Sequence, residues 1–416
     1  MVSQNMLKRI LIENYRSCLR TSIGFHPNLS VLIGPNSSGK TNILQAVMLL
    51  NKLTDEDSFR RSHSTAIGVT SRIKATFQSR DHQIHLTASI DAYTDESNND
   101  KILGSRQQWL LKRRRGQPFS IEIPLAFIWH LTPDFMRRRL DLAFSARYRY
   151  RVLRLPDEIP HWVRRDLGAV AAYCAGIRYY GASQFTNPGS CPVSFEVEQE
   201  GKRQLLTRLR GHARILYNMY SAQKLDPNHR YNQFIDIVGP RGLKLIDALT
   251  FREVRTSSSE YSVRVGGRVE VRTRHKLLVI PQFRLGKQKL SPNQLSEGTF
   301  KTLALLFHVI TGDSTTLLIE EPEVCVHHGL LSSILELVKS YSRNKQMIIS
   351  THSDYVLDHV SPENVYRVTV NKSLGTSAQP IQEAMTHKEY SALREYLEQV
   401  GNLGDYWREG GLGDQP

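Results

Sequence analysis

Two regions of this chain, near its start and near its end, alternate short, largely apolar runs with segments of helical periodicity. Residues 29–33, 315–319 and 347–349 are such runs, which are typical of strands buried on both faces of a parallel sheet. Residues 41–53 follow the first run and place apolar side chains at helical spacing. Residues 294–370 repeat the alternation as helix, strand, helix, strand and strand. The pattern predicts an α/β fold built on a mixed or parallel sheet.

The other segments divide into strand-like and helix-like stretches around a long middle region. Further strands are predicted over residues 7–14, 73–77, 84–90, 177–181 and within 248–285. Helices are predicted over residues 135–142, 162–173 and most of 200–240, and a polar loop over 93–101. We expect an N-terminal lobe over residues 1–92, an inserted, basic and mainly helical region over 93–245, a C-terminal lobe over 246–375, and a helix with a tail over 376–416.

The composition is that of a globular protein. Of the 416 residues, 40% are hydrophobic and 23% are charged. No apolar run reaches the roughly 18 residues needed to span a bilayer, and the N-terminus lacks the pattern of a secretory signal. The cysteines are scattered, at Cys18, Cys174, Cys191 and Cys325, which indicates reduced thiols rather than a structural zinc site. We expect a cytoplasmic protein with no membrane contact.

Positive charge is concentrated in the middle of the chain. The formal net charge is +15, and residues 101–170 carry 15 Lys and Arg against six Asp and Glu. This stretch includes the basic runs 112–115 and 137–139, and arginines that alternate with tyrosines over 147–151. Such a surface suits a polyanion, most simply a nucleic acid. An acidic partner protein, or a basic face that only meets solvent, would account for the same pattern.

A phosphate-binding loop follows the first apolar run. Its residues are Gly34, Pro35, Asn36, Ser37, Ser38, Gly39, Lys40 and Thr41, which fit the pattern G-x-x-x-x-G-K-[ST]. Between a buried strand and a helix N-terminus, the backbone N–H groups of such a loop point at an anionic phosphate, and the helix dipole favours its charge. Lys40 would reach the β- and γ-phosphates, and the Thr41 hydroxyl would ligate Mg²⁺. The sequence therefore predicts a site for ATP and Mg²⁺.

Two acids end the strand predicted over residues 315–319. Glu320 and Glu321 begin the segment Glu-Glu-Pro-Glu, which resembles a Walker B motif, although its first acid is more often Asp. Acids at the carboxyl end of a parallel strand lie beside the phosphate loop, where the crevice of the sheet binds ligands. Glu320 would hold Mg²⁺ directly or through water, and Glu321 would polarise the attacking water. Two acids that only cap a strand are the alternative.

Two polar segments complete the set of motifs. In Leu-Ser-Glu-Gly-Thr, at residues 295–299, Ser296 and Gly298 begin a predicted helix. Their hydroxyl and N–H groups can face a γ-phosphate that is held by another subunit, and Ser296 would cap its own helix in either case. In Ser-Thr-His-Ser, at residues 350–353, His352 leaves an apolar strand shortly after the two acids.

Together these motifs resemble those of the RecF-, SMC- and OLD-type ATPases, which have an ABC-type core. The opening Ile-Glu-Asn-Tyr-Arg-Ser at residues 12–17 and the loop Gly-Pro-Asn-Ser-Ser-Gly-Lys-Thr-Asn at 34–42 have counterparts there, as do the three later motifs. The resemblance covers roughly residues 7–90 and 248–370, and the compact OLD-like AAA ATPases of bacteria are the closest in appearance. It implies an ABC-type P-loop NTPase core.

The resemblance also assigns roles to single residues. Asn14, Arg16 and Asn42 would lie at the nucleotide. His352 would be the switch histidine that contacts the γ-phosphate, and Gln184 would be the Q-loop glutamine. The segment with Ser296 would be the signature that one subunit presents to the nucleotide of another. We therefore expect a homo-oligomer, either a head-to-tail dimer that encloses ATP or a higher assembly of such dimers.

The same resemblance frames the expected function. OLD proteins carry a C-terminal Toprim nuclease, and the 64 residues after His352 are too few for one, so a nuclease or toxin would be a separately encoded effector. We predict a regulatory or scaffold ATPase, the sensor subunit of a bacterial anti-phage defence system. A RecF-like ATPase that binds DNA in repair or replication is the alternative. A transporter subunit is disfavoured by the opening motif and by the large insertion.

The C-terminal tail offers a possible docking segment. Thr386 and Glu389 form a capping box for a predicted helix. Tyr406 and Trp407 follow among several glycines, and an exposed pair of this kind would anchor a partner. Packing of the tail against the core of its own chain is the alternative.

Overall fold

The computed structural model describes most of the chain. The described residues are 6–54, 70–79, 82–94, 100–113, 117–128, 159–198, 209, 211–225, 229–263, 269–312, 314–324, 326, 328–371 and 373–412. Their strands are β1 (Met6–Tyr15), β2 (Cys18–Gly24), β3 (Leu29–Ile33), β4 (Ser71–Ser79), β5 (His82–Thr94), β6 (Asp100–Arg113), β7 (Phe119–Glu122), β8 (Ile177–Gly181), β9 (Phe195–Glu198), β10 (Ala248–Val263), β11 (Val269–Leu285), β12 (Gln288–Leu290), β13 (Thr316–Glu320), β14 (Gln346–Thr351), β15 (Val365–Asn371) and β16 (Gly375–Pro380). Their helices are α1 (Lys40–Lys52), α2 (Leu125–Ile128), α3 (His161–Ala175), α4 (Gly211–Leu225), α5 (Arg230–Val238), α6 (Glu297–Thr311), α7 (His328–Ser342), α8 (Asp354–Leu357), α9 (Ile381–Ala384), α10 (His387–Gln399) and α11 (Leu403–Arg408).

The central sheet is mixed and has the strand order β16-β15-β3-β14-β13-β8. The strands from β15 to β8 run parallel, and β16 returns antiparallel to β15. Every residue of β3 and β14 is buried, as expected for parallel strands that are covered on both faces. The predicted α/β fold with a mixed sheet is therefore confirmed.

Two antiparallel sheets flank the central one. The first has the order β2-β1-β4-β5-β6-β7, and the second is a long β10–β11 hairpin to which β12 and β9 add. On one side of the central sheet, α1 and α3 share a core with the first antiparallel sheet. On the other side, α4 to α7 and the second antiparallel sheet share a separate core. Among the helices of the described ranges, none is long and apolar enough to cross a membrane.

In its described residues, the inserted region contains strands as well as the predicted helices. Where a loop was expected over residues 93–101, β5 continues to Thr94 and β6 begins at Asp100. In β6 the side chains of Gln107, Trp109 and Leu111 are buried, and the residues between and beside them are more exposed, which is the period-two pattern of a strand. The helix over residues 162–173 and the strand over 177–181 are present as α3 and β8. The helix predicted over 135–142 and the run 137–139 lie outside the described residues.

The C-terminal tail packs on its own chain, which corrects the idea of an exposed anchor. Trp407 is 2% exposed and Leu412 3% exposed, and both belong to the core that includes α6 and α7. The capping box at Thr386 is present, and it begins α10. Tyr406 stacks edge-on against Tyr396 of α10 at 5.1 Å. The glycines left room for the tail to fold back, and burial of the indole ring stabilises that arrangement.

Candidate functional site

Four parallel strands end together at one edge of the central sheet. The register pairs Ile33 of β3 with Thr351 of β14, and Ser350 of β14 with Glu320 of β13. Glu320 in turn pairs with Gly181 of β8. Because the motifs follow directly from these strands, the phosphate loop, the acids, the histidine turn and the Gln184 turn all leave the sheet at this edge.

The phosphate loop requires its two glycines. Gly34 and Gly39 have φ of 149° and 102°, in the region that favours glycine. A Cβ on Gly34 would lie 2.2 Å from the carbonyl oxygen of Val368, and one on Gly39 would lie 2.1 Å from Oγ1 of Thr376. The loop is thus held tightly against β15 and β16. Asn36 and Ser37 are exposed at its crest, Pro35 is half-buried, and Ser38 and Gly39 are buried below them.

Lys40 lies inside the curve of this loop. Its side chain is 5% exposed, and Nζ donates to the carbonyl oxygens of Gly34 at 2.6 Å and Pro35 at 3.0 Å. Burial lowers the pKa of Lys40, while Glu321, Glu323 and Glu320 oppose that shift. A phosphate would offer the ammonium group a full negative charge in place of two carbonyl dipoles.

Thr41 and Glu320 meet directly across the gap between α1 and β13. The Thr41 hydroxyl donates to one carboxylate oxygen of Glu320, and the hydroxyl of Tyr179 on β8 donates to the other. Beside Glu320 in the register, the Oγ atom of Ser350 is buried and has no partner among the described residues. Hydroxyl and carboxylate oxygens are the ligands that Mg²⁺ prefers, so this group fits the ion. Sequence reasoning missed Tyr179, because nothing local marks it.

The two remaining acids of the motif lie beside His352. Glu321 has φ of 46°, and its N–H donates to the carbonyl oxygen of Ser350 at 2.9 Å. The Nδ1 atom of His352 lies 3.4 Å from Oε1 of Glu321 and 3.5 Å from Oε1 of Glu323. Glu323 also accepts hydrogen bonds from the hydroxyl of Thr351 and the N–H of His352, and burial raises its pKa. Glu323 thus ties the acid segment to the histidine turn, a role not assigned from the sequence.

The β1–β2 turn approaches the loop from the side. Asn14 and Arg16 are exposed there and have positive φ of 57° and 51°. Asn42 donates to the Ser17 hydroxyl at 2.6 Å, and that hydroxyl lies 2.7 Å from Oγ1 of Thr376. The side chain of Asn42 therefore reaches the β1–β2 turn, which contains Arg16 and follows Asn14 of β1, so this turn lies beside the phosphate loop.

The signature segment lies across the central sheet from α1. Ser296 is exposed and caps α6, where its Oγ accepts from the N–H of Thr299 at 3.2 Å. Gly298 lies in the first turn of α6. Phe300 of this helix packs 5.9 Å from Phe185, which follows Gln184 in the turn after β8. Gln184 itself is exposed. The residues of α1 and α6 belong to separate cores on opposite faces of the central sheet.

Two family models match this chain. One, described as an AAA domain, putative AbiEii toxin, Type IV TA system, matches residues 183–358. The other, described as an AAA ATPase domain, matches residues 6–120. The first spans the signature segment, the acids and the histidine turn, and the second spans the phosphate loop. Both halves of the candidate site are thus matched by ATPase domains.

Relatives and solved structures add partial similarities. The DNA replication and repair protein RecF of Lactococcus lactis subsp. lactis (strain IL1403) is 40% identical over 60 residues, which are 14% of this chain and 15% of that protein. The DNA double-strand break repair Rad50 ATPase of Methanopyrus kandleri is 48% identical over 44 residues, 11% of this chain and 5% of that protein. The Smc head domain derived from Pyrococcus furiosus is 11% identical, covers 94% of this chain and 100% of that one, and has a TM-score of 0.45.

The matches to RecF and Rad50 are therefore short. They extend over only a small part of the length of those proteins. The family models and these relatives agree with a site in which a phosphate loop faces acids at the ends of parallel strands. Over residues 6–120 and 183–358, the two segments that contain the candidate site, this chain is thus similar to AAA ATPase domains.

Proposed function

We propose that this chain hydrolyses ATP with Mg²⁺ at the edge of the central sheet formed by β3, β14, β13 and β8. The observation that carries the proposal is the convergence of Lys40, Glu320 and Glu321 at the ends of neighbouring strands. Lys40 would bind the β- and γ-phosphates, and Thr41 with Glu320 would hold Mg²⁺, which neutralises phosphate charge when bound. Glu321 would orient the attacking water and accept its proton, and His352 would contact the γ-phosphate.

We further propose that a second copy of the chain completes each site. Ser296 and Gly298 at the start of α6 would face the γ-phosphate held by the other copy, with Gln184 at the junction. In support, Ser296 is exposed and lies on the other side of the central sheet from α1. The α6 N-terminus would add favourable field to that phosphate.

The biological role we propose is regulation of a separately encoded effector, a nuclease or toxin, in anti-phage defence. The support is the match of residues 183–358 to a domain model described with a putative toxin system. A RecF-like role on DNA is the second candidate, favoured by the 40% identity to RecF over 60 residues and by the basic stretch 101–170. We place both candidates in the cytoplasm.

One pair of measurements separates the two roles. ATP hydrolysis by the purified chain is measured with and without duplex DNA, and proteins that co-purify with the tagged chain from its own host are identified. A stable partner encoded beside it, with no stimulation by DNA, supports the effector role. Stimulation by DNA alone, lost in Lys40→Ala, supports the RecF-like role and rejects the first. Absence of ATP hydrolysis under both conditions would reject the proposed activity itself.

A further inference from the structure

Tyr179 occupies a position in the metal-binding group that no sequence motif predicts. It lies on β8, which borders β13 in the sheet, and its hydroxyl donates to Glu320. A phenol hydroxyl can donate one hydrogen bond, and here Glu320 accepts it. The carboxylate of Glu320 therefore has both oxygens occupied, one by Thr41 and one by Tyr179.

The surroundings of Tyr179 also include α1. The side chain of Gln45 lies near the Tyr179 hydroxyl. Gln45 lies one turn after Thr41 on α1, so the two residues share a face of that helix. Side-chain contacts thus connect α1 to β13 and β8, through Thr41, Glu320, Tyr179 and Gln45.

The backbone of β8 leaves room for this arrangement. Gly181 pairs with Glu320 in the register of the sheet. A Cβ on Gly181 would lie 3.0 Å from the Tyr179 hydroxyl and 3.1 Å from Oε2 of Glu320, which is tighter than ordinary contact. The glycine therefore keeps free the space that the phenol and the carboxylate share.

We propose that Tyr179 is a positioning residue, which fixes the carboxylate of Glu320 for Mg²⁺. This inference rests on the metal site of the proposed function. A glutamate is one methylene longer than an aspartate and has one more rotatable bond, so its carboxylate needs an additional restraint to hold one orientation. Tyr179 supplies that restraint from the neighbouring strand, in the way that hydrogen-bond partners behind a metal ligand orient it.

The test compares Tyr179→Phe with Tyr180→Phe, the same substitution at the next residue. The hydroxyl of Tyr180 donates to the carbonyl oxygen of Lys301 at 3.1 Å, on the α6 side of the sheet, so this control removes a buried hydroxyl away from the metal group. Mn²⁺ binding is measured by electron paramagnetic resonance in the presence of a non-hydrolysable ATP analogue, and affinity for the same analogue is measured in EDTA.

We expect Tyr179→Phe to weaken Mn²⁺ binding about 10- to 100-fold, as is typical when a partner behind a metal ligand is removed. Analogue affinity in EDTA stays within about two-fold of wild type, because the phosphate loop is unchanged, and Tyr180→Phe binds Mn²⁺ as wild type does. Wild-type Mn²⁺ affinity in a folded Tyr179→Phe variant would overturn the inference.

A double-mutant cycle with Glu320→Asp gives a second readout of the pair formed by Tyr179 and Glu320. Glu320→Asp shortens the carboxylate and draws it away from the phenol, so it should weaken Mn²⁺ binding in the wild-type background and cause little further loss in Tyr179→Phe. Equal loss in both backgrounds contradicts a role for Tyr179. If wild type itself binds no Mn²⁺ with the analogue and Thr41→Ala changes nothing, the metal site of the proposed function fails, and the inference fails with it.

Discussion

At the scale of single residues, the three glutamates of one short segment have three different environments. Glu320 accepts hydrogen bonds from two hydroxyl groups, and Glu321 has a left-handed backbone conformation and lies beside His352. The side chain of Glu323 is 10% exposed and accepts hydrogen bonds from the histidine turn. Carboxylates that differ in burial and in partners can perform different tasks at one pH. These different surroundings support the proposed division of roles between metal binding, water activation and structural support.

Glu321 carries the sharpest prediction about catalysis. In Glu321→Gln, ATP should bind with near wild-type affinity, because Lys40 and the loop are intact, while kcat should fall by about 100-fold or more without a group to accept the proton of water. Nucleotide binding and phosphate release, measured on the same preparation, check this. Lys40→Ala is the matched contrast and should lose binding as well. Turnover at the wild-type rate in Glu321→Gln would remove that residue from the mechanism.

The raised pKa of Glu323 predicts that the stability of the folded protein depends on pH. Burial raises its pKa in the folded protein, so the folded state favours the protonated form, and that stabilisation is lost as the pH rises through the folded pKa. Glu323→Gln cannot ionise, so its melting temperature relative to wild type should increase from acidic to neutral pH. Glu389→Gln is the opposite control, because hydrogen bonds from Thr386 lower the pKa of Glu389. Parallel trends in the two variants would contradict this account.

At the scale of elements, the C-terminal helix α11 packs on α8, the short helix that follows His352. The N–H of Gly404 donates to Oδ1 of Asp358 at 2.9 Å, and the guanidinium group of Arg408 lies 2.7 Å from Oδ2 of Asp354. A Cβ on Gly404 would lie 2.2 Å from Oδ1 of Asp358 and 2.3 Å from the carbonyl oxygen of Asp354. The tail thus packs against α8, the helix that follows the histidine turn, and supports it.

Gly404→Ala should therefore loosen that contact. We expect a loss of about 1–3 kcal/mol in the free energy of unfolding, the usual cost of inserting a methyl group where there is no space. Urea denaturation measures it. Gly24→Ala is the matched control, since a Cβ there lies 3.7 Å from the nearest atom, the carbonyl oxygen of Lys8. Equal stability of the two variants would show that the tail is not held as described.

A structural feature could be predicted from the sequence only where the residues that determine it lie close together in the chain. A pattern of a few residues is enough to predict each of the phosphate loop, β3, α1 and the acids at the end of β13. The structure contains all of them. The hydrogen bond between Tyr179 and Glu320 joins residues 141 positions apart, and no short pattern contains it. The burial of Trp407 was equally hidden, because an apolar residue among glycines fits either an exposed tail or one that folds back.

At the scale of the whole molecule, the composite site predicts a separation between binding and hydrolysis. Ser296→Arg should leave ATP binding to the single chain unchanged, because α6 lies across the central sheet from α1. It should block ATP-driven association and reduce hydrolysis to the level of Lys40→Ala. Light scattering during turnover measures the association. A variant that hydrolyses ATP as a monomer would exclude the shared site.

The basic stretch predicts a dependence of binding on salt. If it binds nucleic acid, replacing Arg137, Arg138 and Arg139 by Ala should reduce the slope of log K against log salt by up to about 0.9 per lost phosphate contact. Replacing the exposed Arg284, Lys287 and Lys289 removes the same charge from another part of the sequence and should change the slope less. Equal changes in slope for the two triple variants would indicate that net charge alone determines binding. If the chain binds an acidic protein tightly and has no affinity for DNA, the acidic protein is favoured as the partner.

The position of β8 has a mechanical consequence. This strand forms the edge of the ATPase sheet, yet α3 at the end of the basic region runs into it, with only Gly176 between Ala175 and Ile177. Close-packed interiors transmit displacement rather than absorb it. A displacement of α3 would therefore be passed on to the strand that carries Tyr179 and Gly181. Binding at α3 could in this way change the rate of hydrolysis without any contact with the nucleotide.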